Sequence, residues 1–100
     1  MTTIIVESAW PSEEGTKLGK LWLEMGEAPE QMKMLWVGSI ADLDLCNRGL
    51  MIWQCEDSFV ADALAYVKND CARFYVVKGF RYQVNVWTEP ADAMKMFGIV

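Results

Sequence analysis

The chain has no histidine in its 100 residues. That absence excludes a Ser-His-Asp triad, a Cys-His pair, a His-ligated zinc and a proximal-His haem. Cysteine is scarce as well. Cys46, Cys55 and Cys71 form no CxxC, so neither a dithiol redox motif nor a zinc ribbon is offered, and they read as small buried thiols of a reducing compartment. Basic residues are few and scattered: Lys plus Arg total 9 against 14 Asp plus Glu, for a formal net charge of −5. An acidic chain without a basic block is a poor ligand for nucleic acid or an anionic membrane. Long apolar runs are missing too. The opening Met-Thr-Thr-Ile-Ile-Val-Glu reaches a carboxylate after three apolar residues, so it reads as neither a signal peptide nor a membrane span, and a cytoplasmic location is expected.

What is present is hydrophobic: 53% of the residues, with 23% charged. That composition belongs to a folded domain, and this length supports one core, so a single domain over residues 1–100 is expected. Thr2 to Ala9 is rich in β-branched residues. It alternates, with Ile4, Val6 and Ser8 on one face and Thr3, Ile5 and Glu7 on the other. Trp10-Pro11 ends it. Ser12 reads as a helix N-cap with Glu13 and Glu14 in the first turn, followed by the stripe Leu18, Leu21, Trp22 and Met25. Gly15 and Gly19 weaken this helix by roughly 1 kcal/mol each relative to Ala, and Gly26 and Pro29 stop it.

Gln31 to Ile40 reads as a second strand and Leu50 to Cys55 as a third, with Asn47-Arg48-Gly49 as turn chemistry. Ala41 to Arg48 is either a longish loop or a ragged extension of the hairpin. Asp57 or Ser58 caps a second helix whose stripe is Val60, Ala63, Leu64, Val67, Cys71 and Phe74. Gly79 closes the connection. Phe80 to Thr88 alternates Tyr82, Val84 and Val86 against Arg81, Gln83, Asn85 and Trp87, and Pro90 opens a short last helix. The order β-α-β-β-α-β predicts an α+β, ferredoxin-like fold: a four-stranded antiparallel sheet of order 4-1-3-2, two helices on one face, and a short C-terminal helix.

Ile4, Val6, Val84 and Val86, with Leu50 and Ile52, are expected under the helices. Ile5, Glu7, Met51, Trp53, Cys55, Gln83, Asn85 and Trp87 are expected on the open face, with Met34 and Trp36 from the second strand and Leu35 and Val37 inward. Such an apolar, aromatic, Met-rich face exceeds the largest patch of an ordinary monomer. A second copy is its simplest cover, so a homodimer is expected.

Several segments carry the chain's similarity to known proteins. Ile5-Val6-Glu7 runs into Pro11, Trp36-Val37 lies in the second strand, and Gln54-Cys55-Glu56-Asp57 enters the second helix. Val84-Asn85-Val86-Trp87-Thr88 leads into an Ala-rich tail. With the element order, these resemble the dimeric α+β barrel superfamily, and most nearly one of its short uncharacterised families. The superfamily includes antibiotic-biosynthesis monooxygenases and muconolactone isomerases. The resemblance implies two sheets packed into a shared barrel, and it covers nearly the whole chain. Its haem-degrading branch uses a histidine ligand, which this sequence lacks.

Glu7, placed mid-strand between apolar neighbours, is the candidate general base. Asn85 or Gln83 would hold a developing oxyanion. Trp36, Trp53, Gln83 and Trp87 are candidate ligand-binding residues, apolar walls with a few convergent polar groups. The structural alternatives are an ion pair from Glu7 to Arg81 or Lys33 across a dimer, amides that bond each other, and tryptophans packed on the partner subunit. Asp42-Leu43-Asp44 with Asn47 imitates the start of a calcium loop, but Cys46 and Trp53 stand at its fifth and twelfth positions. Gly15 to Lys20 fails the phosphate-loop spacing. No metal and no cofactor is therefore expected. Three functions stay open: a homodimeric barrel binding a small hydrophobic or aromatic molecule, a cofactor-independent monooxygenase or isomerase acting on a planar phenolic or carbonyl compound, and a structural or interaction module.

Overall fold

The computed structural model describes residues 1–41 and 46–98. The strands are β1 (Thr2–Pro11), β2 (Met32–Ala41), β3 (Cys46–Cys55) and β4 (Arg81–Trp87). The helices are α1 (Gly15–Leu23), α2 (Val60–Ala72) and α3 (Pro90–Met96). The sheet is ordered β2-β3-β1-β4, every neighbouring pair antiparallel. This is the expected 4-1-3-2 arrangement read from the other edge. β2 runs to Ala41 and β3 starts at Cys46, so Asn47, Arg48 and Gly49, expected as a turn, are strand residues paired with Ala41, Ile40 and Ser39. Asp42 and Asp44 lie outside the described residues.

The core lies between α2 and one sheet face. Ile4, Val6, Met32, Trp53, Cys55, Ala63, Val67 and Cys71 are buried there. The α2 stripe is as expected: Ala63, Val67 and Cys71 are buried, Val60 and Leu64 pack beside them, and Phe74 is buried just beyond the helix. Neither long helix carries a side-chain N-cap. Each is entered through one 3₁₀ turn, Ser12–Glu14 and Asp57–Phe59. Ser12 Oγ donates instead to Asn47 Oδ1 at 3.3 Å. Asp57 accepts from Thr2 Oγ1 at 2.7 Å and pairs with the N-terminal ammonium, which together hold its carboxyl below the usual range. The turn into β4 needs glycine. Gly79 sits at φ 82°, and a Cβ there would lie 2.8 Å from Pro11 Cγ.

Two expectations about faces are corrected. In β3 the inward residues are Met51, Trp53 and Cys55, not Leu50 and Ile52. Ile4 stands opposite Trp53 and Val6 opposite Met51, so the buried face of β1 fixes the buried face of β3. Both alternating sets of β3 are apolar, and the inward one is the bulkier, able to reach α2. A one-residue change of phase turns every side chain over. In β2 the pairing advances from Met34↔Trp53 to Trp36↔Ile52, leaving Leu35 as the extra residue of a bulge. The bulge puts Met34 inward and Trp36 outward, where simple alternation put both on the open face. Leu35 is half exposed rather than packed inward, while Val37 follows the inward phase.

Candidate functional site

The open face is four rows deep, read across β2, β3, β1 and β4. Ile40, Arg48, Ala9 and Arg81 form the first. Gly38, Leu50, Glu7 and Gln83 form the second. Trp36, Ile52, Ile5 and Asn85 form the third, and Lys33, Gln54, Thr3 and Trp87 the fourth. The centre is aliphatic, from Leu50, Ile52 and Ile5. The flanks are aromatic, with Trp36 53% and Trp87 54% exposed. α2 packs against the opposite face, and α1 stands on that side too.

The first two rows and Trp36 form a concavity of about 520 Å³. Glu7, Arg48, Leu50, Arg81 and Gln83 line it. One wall is Trp36, whose indole lies across Gly38. A Cβ at Gly38 would run into Trp36 Cη2, so the glycine makes room for the ring. Glu7 is exposed and stands directly opposite Gln83 on β4 and Leu50 on β3. A carboxylate, an amide and guanidinium groups thus share one apolar-walled hollow that holds both hydrogen-bond acceptors and donors.

Of the residues singled out in the sequence, Glu7, Gln83 and Trp36 meet at this hollow. Asn85 and Trp87 lie on the same face in the adjoining rows. Trp53 does not. It is 3% exposed on the helix side, edge-on to Tyr66 at 6.0 Å and 81°. Its place beside Ile5 is taken by Ile52. Arg48 and Leu50 also line the hollow: Leu50 because β3 takes the opposite phase to the expected one, and Arg48 because Asn47-Arg48-Gly49 is strand rather than turn. Among the described residues no group of three or more Cys, Asp or Glu side chains is placed to hold a metal ion, and no helix is long and apolar enough to cross a membrane.

No family model matches the chain, and no curated protein matches it. Solved structures do. A formyltetrahydrofolate deformylase from Pseudomonas putida KT2440 aligns with a TM-score of 0.53 at 16% identity, over 83% of this chain and 28% of that one. A formyltetrahydrofolate deformylase from Burkholderia mallei ATCC 23344 aligns over 85% and 28% at 10% identity, with a TM-score of 0.46. The chain spans less than a third of the length of either enzyme. The first likeness bears on architecture alone: the chain is a ferredoxin-like α+β domain.

Proposed function

We propose that two copies of this chain pack through their open sheet faces as a dimeric α+β barrel, and that the enclosed hollow binds a small hydrophobic or aromatic molecule. The observation that carries this is the open face itself. Leu50, Ile52 and Ile5 form an apolar centre between two tryptophans, each more than half exposed. Closing the face removes that surface from water and encloses the hollow beside Glu7 and Gln83.

The test makes ligand affinity depend on assembly. 2-Naphthol, a planar phenol, should quench the fluorescence of Trp36 and Trp87. Ile5→Lys places a charge at the centre of the face and should weaken that quenching at least tenfold, while the far-ultraviolet circular dichroism stays native. Equal affinity in wild type and Ile5→Lys would overturn the enclosed-hollow reading.

A second reading is favoured by the pairing of Glu7 with Gln83 across adjacent strands. In it the domain is a cofactor-independent monooxygenase or isomerase. Glu7 takes a proton from a phenolic or α-carbonyl position, and Gln83 or Asn85 donates to the oxyanion. Glu7→Gln should abolish any turnover of phenolic compounds and leave 2-naphthol affinity within about threefold, about 0.7 kcal/mol. Turnover that survives Glu7→Gln removes Glu7 as the base, and a wild-type chain that turns over no such compound leaves the binding reading alone.

A further inference from the structure

The hollow on the open face carries more positive than negative charge. Among its described lining residues Arg48 and Arg81 are the cations, and Glu7 is the carboxylate. Ala9 stands directly opposite Arg48 on β3 and Arg81 on β4. Two guanidinium groups therefore flank one small residue. Neighbouring strands lie about 4.8 Å apart, which sets the two arginine backbones roughly 10 Å apart with only a methyl group between them. The Arg81 side chain is exposed and makes no ion pair or hydrogen bond among the described residues, and the same is true of Glu7. Arg48 has an interaction of its own within the chain. Its five N–H donors let it keep that interaction and still donate into the hollow.

Glu7 is set back by one row. It stands opposite Leu50 and Gln83 and meets each arginine only on the diagonal, a backbone separation of about 7–8 Å. One carboxylate does not neutralise two guanidinium groups. A second copy on the face brings no remedy, because a two-fold interface presents the same residues from both sides. The partner repeats the excess, and Lys33 in the fourth row adds to it. Covering the face takes these charges out of water, and a buried charge needs a counter-charge. Beside the arginines, Leu50 and the Trp36 wall offer apolar surface to a flat ring.

From this arrangement we infer that the hollow takes a planar aromatic carboxylate, whose carboxylate group sits over Ala9 and accepts from Arg81 and Arg48 while its ring lies over Leu50 against Trp36. The inference rests on the hollow being the binding site proposed above, and it narrows the ligand to a monoanion. A guanidinium group offers a carboxylate two parallel N–H donors, the strongest neutralising geometry a side chain supplies. A dianion is disfavoured, because Glu7 one row away repels a second negative charge. The net charge of −5 repels anions from the molecule as a whole. Selection of an anion therefore falls to this local pair of donors.

The test compares 2-naphthoate with 2-naphthamide, its neutral counterpart of the same shape, and with 2-naphthol, each by equilibrium dialysis against the wild-type chain. The naphthoate should bind about tenfold more tightly than the amide, the worth of one charge-assisted hydrogen bond. Raising salt from about 20 to about 500 mM should weaken the naphthoate and leave the amide unchanged. Arg81→Gln, at an exposed position of an edge strand, should keep the native circular dichroism and erase the preference. Arg81→Lys retains the charge without the fork and should keep part of it. Naphthoate binding no tighter than the amide overturns the inference, as does a preference that survives intact in Arg81→Gln. If 2-naphthol binds in either case, the hollow stands as a site and only the anion is lost. If none of the three binds at its solubility limit, the hollow falls as a site and the inference falls with it.

Discussion

Ile52 and Trp53 are neighbours in the chain that the fold sends to opposite sides of the sheet, and lysine at each position should produce opposite phenotypes. Trp53 is 3% exposed, packed among Ile4, Met34 and the α2 side chains, and edge-on to Tyr66. Truncation of such a ring costs about 3–5 kcal/mol. A lysine there adds a buried, unpaired ammonium worth several kcal/mol more. A domain of this size has about 5–15 kcal/mol in all, so Trp53→Lys should not fold. Trp53→Phe should be mild, about 1 kcal/mol. The smaller ring loses some packing, but it also removes an indole Nε1–H that is buried without a partner among the described residues. Ile52 lies half-buried on the open face. Ile52→Lys should cost the monomer about 1 kcal/mol or less, because its ammonium reaches water, yet it should prevent self-association. Urea unfolding followed by circular dichroism, with sedimentation velocity on the same samples, reads both effects. A folded Trp53→Lys beside an unfolded Ile52→Lys would refute the phase assigned to β3 and everything built on the open face.

Thiol reactivity should follow burial. Cys46 is half-buried while Cys55 and Cys71 are fully buried with their thiols pushed up, so an aromatic disulfide reagent at pH 8 should label Cys46 first and the other two only on unfolding. Stability should decline in alkali. Desolvation raises Cys71 from 9.0 to about 12, and a hydrogen bond with Tyr75 followed by desolvation raises Tyr82 from 10.0 to about 12. The folded chain thus keeps protons that the unfolded chain releases. Stability is full below pH 9 and lost as pH rises toward 12, checked by denaturation midpoints across that window. Arg73 Nη1 donates to Leu21 O at 3.0 Å, so Arg73→Ala should release the α1 C-terminus, cost about 1–3 kcal/mol, and speed amide exchange in α1 relative to α2.

Much of this architecture was legible because the contrast between neighbouring residues was strong. In β1 the pair Ile4 and Val6 alternates with Glu7, and in β4 Val84 alternates with Gln83 and Asn85, so each strand declares its faces. That contrast is what placed Glu7, Gln83 and Asn85 on the open side. In β3 it vanishes: Leu50 and Ile52 are as apolar as Met51 and Trp53, and only pairing with β1 decides between them. The bulge at Leu35 carries no signal of its own, yet it separates Met34 from Trp36. Of the residues that line the hollow from β3, Leu50 is hidden by the phase of the strand and Arg48 by turn chemistry in a segment that is strand.

A closed barrel requires the open face to be an interface between two copies. Sedimentation equilibrium of the wild-type chain at 1–50 µM (about the range of a stable homodimer) tests it most directly. Twice the 11.4 kDa of one chain is expected, collapsing to the single-chain mass in Ile5→Lys with its circular dichroism unchanged. A wild-type chain that stays at 11.4 kDa throughout that range would contradict the barrel and leave Trp36 and Trp87 uncovered.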